Sequence, residues 1–464
     1  GKTSLMKLFP KILTVATSVL LAAGSLAASA ENIISQLGSD IDGEAAGDGF
    51  WTSVSLSSDG TRVAIGATNN DGNGSSAGHV RVYDWNGTAW VQAGSDIDGE
   101  AAYDQSGYSV SLSSDGTRVA IGAATNDGGG SNSGHVRIYD WTNGAWVQAG
   151  SDIDGEAAND YSGHSVSLSS DGTRVAIGAR DNDGGGSNSG HVRIYDWTDG
   201  AWVQAGSDID GEAANDYSGS SVSLVSDGTR VAIGAYGNDG GGDGSGHVRI
   251  YDWNGTAWVQ FGSDIDGEAA NDYSGWSVAF SCLPIGVCVV AIGAPYNDGG
   301  ANGAGHVRTY RLSSDEVIQF GGDIDGKYAG DNSGWSVDIG YLDGKIRVAI
   351  GQIQNLNPGS VAFYDFSAAG ESEVEPEWVR VGSYIGGEGD NDKSGSSVSL
   401  SGNVSRVAIG APDNDGGGTD SGHVRIYSMS GLQPSSDASP SSSASPSSSA
   451  SPSSSASPSS SASP

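Results

Sequence analysis

Along most of the chain, short apolar runs are fenced by Gly, Asp, Asn and Ser, and the same four runs return in the same order. Within residues 164–207 they read HSVSLS, RVAIGA, HVRIYDW and AWVQAGS, beginning at His164, Arg174, His191 and Ala201. Runs this short, three of them rich in β-branched and aromatic residues, predict strands. Ser-Asp-Gly-Thr joins the first two, with Asp171-Gly172 as a hairpin signal. Nothing among the repeats reads as a long amphipathic helix.

The phrase that opens each unit starts at Gly38, Gly94, Gly150, Gly206, Gly262, Gly321 and Gly382, so the starts are 56, 56, 56, 56, 59 and 61 residues apart. Seven units of that length suit four-stranded propeller blades and are too long for helical-hairpin repeats. The last unit ends after its third run, HVRIYSM in residues 423–429, while IISQLGSDI from Ile33 aligns with AWVQAGSDI from Ala89. The N-terminal segment is therefore expected to supply the outer strand of the last blade, which closes a ring and has no use in an open solenoid. The predicted fold is all-β: a seven-bladed β-propeller of four-stranded blades over residues 31–431.

SGWSVAFS in residues 274–281, followed by VAIGAPYNDGGANGAGHVRTY in residues 290–310, resembles the FG-GAP repeat, the blade unit of integrin alpha-chain propellers and of many secreted bacterial and algal proteins. The resemblance extends from about Ile33 to Tyr427. Its Phe-Gly is mostly Ser-Gly here, and its Gly-Ala-Pro is whole only at Gly293-Ala294-Pro295 and Gly410-Ala411-Pro412. It implies a binding or adhesion module whose ligand sits at a mouth rimmed by aromatics. The family's Ca²⁺ loop, Asp-x-Asp-x-Asp-Gly-x-x-Asp between the first and second strands, has no counterpart, because that place holds SSDGTR. WD-repeat strands are similar too, but their period of about 40–45 residues is too short.

Acidic residues number 56 against 21 Lys and Arg, a net charge of −35. Such a chain disfavours nucleic acid and anionic membranes and suits cations, basic proteins or neutral glycans. Lys2, Lys7 and Lys11, an apolar run over residues 12–26 and Ala28-Ser29-Ala30 read as a signal peptide in residues 1–30, with the mature chain starting near Glu31. Met6 suits a start better than Gly1, which leaves residues 1–5 to be read as upstream sequence or the chain as a fragment. No second apolar run can span a bilayer, so a secreted or cell-surface protein with a monomeric propeller is expected. Residues 432–464 are rich in Ser, Ala and Pro and stop in mid-repeat. They read as a disordered stalk, open to O-glycosylation, with more chain expected beyond Pro464. In an oxidising compartment Cys282 and Cys288, within SCLPIGVCVV, are expected to form a local disulfide, with two buried thiols as the alternative.

If strands run antiparallel from the axis outward, the loop after the second strand and the blade-to-blade loop share one face. That face collects DIDG six times, NDG six times and one further Asp per unit, from Asp48 to Asp392. Asp208, Asp210, Glu212 and Asp216 hold positions one, three, five and nine of a Gly-containing loop, the spacing of a compact Ca²⁺ site. The same spacing recurs in Asp96, Asp98, Glu100 and Asp104, in Asp152, Asp154, Glu156 and Asp160, and in Asp264, Asp266, Glu268 and Asp272. The competing reading is that Asp and Gly only shape the turn. Unit six has Lys327 at the Glu position and unit seven reads SYIGGEGDND, so the fold does not need metal in every blade.

Differences between near-identical units carry more information. The position that follows Ser-Gly in units two to seven, and Phe50-Trp51 in the first, is Thr52, Tyr108, His164, Ser220, Trp276, Trp335 or Ser396. Tyr108, His164, Trp276 and Trp335, joined by Arg180, Tyr236 and Tyr296 after the IGA runs, are candidate ligand-binding residues at the channel mouth. Aromatic faces stack on sugars and cationic groups, although such rings also plug a channel by packing on one another. The His of GHVR (His79, His135, His191, His247, His306 and His423) recurs at most once per blade, cannot converge with its copies on one atom, and reads as structural. No nucleophile motif, phosphate-binding Gly loop or metalloprotease His pair appears. The function read from the chain is binding or adhesion to an extracellular protein or glycan. A polysaccharide-acting enzyme using His164 as an acid–base group, or a structural wall or coat protein, are the alternatives.

Overall fold

The computed structural model describes residues 34–49, 53–283, 286–313, 316–353, 358–366, 377–429 and 432. The signal-peptide reading, Thr52 and, apart from Leu432, the stalk lie outside them. Every regular element among the described residues is a strand, and the strands form seven antiparallel sheets. In the third blade Ser162–Leu168, Arg174–Ala179, His191–Thr198 and Ala201–Gln204 follow one another from the axis outward.

Six blades carry a fifth, two-residue strand that the sequence reading assigned to a turn. In the third blade it is Ile209–Asp210, and it pairs with the start of the third strand, Val192 opposite Ile209 and His191 opposite Asp210. The surrounding Asp and Gly hide it in the sequence, but Ile209 is apolar and buried in the inter-blade core, so its burial holds the segment against the sheet. Ring closure follows the expected route: Ser35–Gln36 and Ile41–Asp42 both pair with His423–Ser428 of the last blade.

The core lies between blades. Val175 and Ile177 pack toward the second blade, whereas Ala176 packs toward the fourth. RVAIGA thus offers large side chains to one neighbour and a small one to the other, which lets the sheets nest. Farther out, Arg174 Nη2 donates to Asp196 Oδ2 at 2.7 Å and Nη1 to the Gly228 carbonyl at 2.8 Å, and the guanidinium lies 5.2 Å from the Trp253 ring centroid. The Trp pairs are therefore inter-blade packing. Asp171 accepts from Thr173 N instead of pairing with the Arg that follows it. Cys282 and Cys288 face each other across their hairpin as a disulfide, Cα to Cα 3.9 Å.

Near the axis a belt of side-chain acceptors links each innermost strand to the next. Ser111 Oγ accepts from Leu168 N at 3.0 Å and Ser167 Oγ from Leu224 N at 2.9 Å. The fifth blade has Ala279 at this position, so the Ile339 N–H has no hydroxyl to meet. Asp338, which replaces the Ser in the sixth blade, repairs the gap: Oδ2 takes Leu400 N at 2.6 Å and Oδ1 takes Ile339 N at 2.8 Å. Burial raises the Asp338 carboxyl to about 6, outweighing those two hydrogen bonds. Because that folded-state value lies above the ordinary carboxylate range, the charged form costs stability above about pH 6 and the cost fades as the pH falls toward 4. The double variant A279S/D338S should therefore be more stable at pH 7 by on the order of 2 kcal/mol. It should also lose the gain in stability that the parent shows between pH 7 and 5. Urea unfolding at both pH values measures this, and an unchanged pH profile would refute it.

Candidate binding face

The two loops that strand order puts on one face do touch. Asn182, in the loop after the second strand, donates Nδ2 to Asp160 Oδ2 at 3.0 Å, and its Oδ1 accepts from Gly184 N at 2.8 Å. Asp160 Oδ2 also accepts from Ala157 N at 2.9 Å, and the residue is buried. Asp104, Asp216 and Asp272 sit in the same way, on Ala101, Ala213 and Ala269 N respectively. Burial pushes the Asp272 carboxyl up, against the Asn297 hydrogen bond that favours its charge.

The structure does not gather the four spaced carboxylates of one loop around one point. Asp96 lies 4.0 Å from His79 Nδ1 of the preceding blade, and Asp98 pairs with the His79 backbone. Glu100 turns instead to His135 of its own blade, at 3.9 Å, where it meets Asp152 of the next loop. Glu156, His191 and Asp208 repeat that meeting, as do Glu212, His247 and Asp264. Asp154, Asp210 and Asp266 stand opposite the same histidines in the sheet register, and Glu268 lies 3.8 Å from His306. Each loop thus divides its acids between two junctions and its own interior.

The variable residues of the mouth form two groups. In the first, Tyr108 Oη is 3.1 Å from His164 Nε2, and His164 Nδ1 is 3.1 Å from the Ser220 carbonyl. Since a carbonyl only accepts, Nδ1 carries the proton and Nε2 accepts from the phenol. Burial drives His164 down to about 3. Its basic nitrogen is neutral at pH 7 and already engaged, a poor start for general-base chemistry. Arg180 Nε lies 3.4 Å from Asp181 Oδ1, and the Arg180 charge opposes the burial that raises Tyr108 and Tyr236, the latter to about 12.

In the second group Trp276 packs at a tilt against Trp335 at 4.8 Å and against Tyr236 at 5.1 Å. Tyr236 lies parallel to Tyr217 at 5.1 Å, and Tyr296 meets Tyr273 edge-on at 5.4 Å. Tyr217, Tyr236, Tyr273, Trp276 and Tyr296 line an open hollow of about 500 Å³, with Asp239 and Asp243 at its side. Tyr217 and Tyr273 are functional candidates that sequence reading missed. They recur in the NDYSG phrase and look like turn filler, held at φ of 55° and 53°. Only the variable Tyr236 and Tyr296, brought next to them, turn two repeated tyrosines into a surface. The rings are half-buried by one another except Tyr296, which is 39% exposed, so packing and display coexist here.

Fold and face together define a β-propeller of the kind that serves as a binding module or scaffold. Residues 96–139 and 152–195 match the FG-GAP repeat family, each match running from a blade-to-blade loop into the third strand of a blade. A crystal structure of a "putative 6-phosphogluconolactonase" from Bacteroides uniformis resembles it with a TM-score of 0.52 at 14% identity, over 82% of this chain and 97% of that one. A likeness at that identity concerns the fold alone. No curated protein matches the chain.

Proposed function

We propose that the chain is an extracellular binding module that engages a protein or glycan ligand on its acidic face, at the aromatic hollow between the fourth and fifth blades. The observation that carries this reading is the meeting of Tyr217, Tyr236, Tyr273, Trp276 and Tyr296 with Asp239 and Asp243 around one open hollow. Rings of this kind offer large area at low entropic cost, and the carboxylates accept hydrogen bonds from sugar hydroxyls or cationic groups. A net charge of −35 turns anionic ligands away.

A glycan and basic-peptide array probed with the wild-type chain and with Tyr296→Ala and Trp276→Ala tests it. The expected result is a hit whose affinity falls about tenfold in each variant, the usual weight of an interfacial aromatic. Tyr296 is exposed, so its removal leaves the fold intact and separates binding from stability. A hit that both variants retain at full strength would place the ligand elsewhere.

A further inference from the structure

The carboxylate–histidine meetings at the blade junctions do not depend on the hollow. His191 is 1% exposed, with Nδ1 3.9 Å from Glu156 Oε2, too far for a hydrogen bond, and Nε2 has no partner. At the ring closure His423 is 2% exposed, neither ring nitrogen has a hydrogen-bond partner, and Nδ1 lies 3.7 Å from Asp40 Oδ2. At His423 the nitrogen that faces the carboxylate is itself without a partner, and a buried imidazole nitrogen left so calls for a further group. At His191, Arg193 does not supply one, because its Nη1 lies 3.6 Å from the other Glu156 oxygen and Nη2 is committed to the Asp154 carbonyl.

The repeats provide a second, independent observation. The Glu and the His come from one unit and the Asp from the next, so they are far apart in sequence. In unit six all three positions change together, to Lys327, Ser360 and Tyr384. There the two carboxylates and the imidazole are replaced by a set carrying its own positive charge.

We propose that the Glu–His–Asp junctions are binding sites for a divalent first-row transition ion, with Glu156, His191 and Asp208 as the representative set. Their ligand atoms, one imidazole nitrogen and two carboxylate oxygens, lie within 4.8 Å of one another. A tetrahedral Zn²⁺ with bonds of about 2.1 Å sets its ligands about 3.4 Å apart. Glu156 is exposed and Asp208 at least partly so, and both can close that gap around a fixed His191. One nitrogen among oxygens selects Zn²⁺ or its neighbours over Ca²⁺ and Mg²⁺, which favour oxygen alone. In the closing blade Asp40 and Asp42 approach His423 in the same manner.

The test is calorimetric titration of the chelator-treated full chain with Zn²⁺, with Ca²⁺ as the comparison, followed by X-ray absorption of the Zn²⁺-loaded protein. Expected are several equivalents of Zn²⁺ per chain, raised thermal stability, and an absorption spectrum with imidazole and carboxylate ligands. E156Q/D208N, two near-isosteric changes, should remove about one equivalent. The triple change E156K/H191S/D208Y, which copies the sixth junction, should do the same while the chain stays folded without metal. Absence of Zn²⁺ uptake, uptake unchanged in the variants, or equal binding of Ca²⁺ would each overturn the proposal.

Discussion

A chain that begins at Glu44 should fail to close its ring, and it should melt at a markedly lower temperature with loss of cooperativity. In the intact chain Ser35 and Gln36 pair with Ser428 and Tyr427, Leu37 N donates to the Ile426 carbonyl at 2.8 Å, and Ile41 pairs with Val424. Ile41 is buried between the last and first blades, with Leu37 packed against the same cluster and Ile34 against the neighbouring one. Trp90 of the first blade donates Nε1 to the Leu37 carbonyl at 2.9 Å. One buried and two partly buried aliphatic side chains amount to on the order of 4 kcal/mol of apolar burial, a large part of what a domain of this kind has to lose. The truncation also strips the outer edge of His423–Ser428, leaving unpaired backbone groups that invite association. Thermal unfolding with size-exclusion chromatography measures both effects. A truncated chain that stays monomeric and melts where the parent does would show that closure does not rest on this segment.

That closure was readable because a repeat protein reports its own irregularities. A last unit lacking its WVQ run and an N-terminus carrying a spare copy leave one economical solution. Blade number, strand order and the neighbouring of the two acidic loops were legible for the same reason. The Ile–Asp strand was not, since two residues carry no periodicity and only the burial of Ile209 against the next blade reveals it. The acidic loops show how a linear motif misleads. Asp208, Asp210, Glu212 and Asp216 are spaced like ligands of one ion, yet the turn buries Asp216 on Ala213 N and sends Glu212 to His247, away from Asp208. Spacing fixes which residues are near in sequence. The sheet decides which blade each side chain faces. The histidines read as structural from their recurrence around the ring, and they do not converge with one another; His79, His135, His191 and His247 instead each meet acids from two successive loops, a pairing that no single repeat contains.

The substitution with the largest expected local effect is Gly178→Ala, in RVAIGA of the third blade. A Cβ on Gly178 would lie 2.0 Å from the Gly219 carbonyl oxygen and 2.4 Å from Ser165 Oγ. Neither atom can retreat freely. Ser165 Oγ donates to that same carbonyl at 2.8 Å, and Gly219, at a φ of +85°, delivers it from the start of the next blade's innermost strand. Second strand and neighbouring blade therefore meet backbone to backbone near the axis, where seven sheets must converge. The same 2.0 Å approach recurs at Gly66, Gly122 and Gly351, which explains why the Gly persists even where the Pro of Gly-Ala-Pro does not. Forcing a methyl into that contact must separate two blades or break the Ser165 bond, at a cost of about 3 kcal/mol or more. Gly200→Ala is the informative control. Its φ is +85° too, but nothing lies within 4 Å of the added Cβ, so only the left-handed conformation is penalised, by about 1–2 kcal/mol. Denaturant unfolding should rank Gly178→Ala well below Gly200→Ala. Equal losses would mean that conformation, and not the approach of neighbouring blades, requires the glycine in RVAIGA.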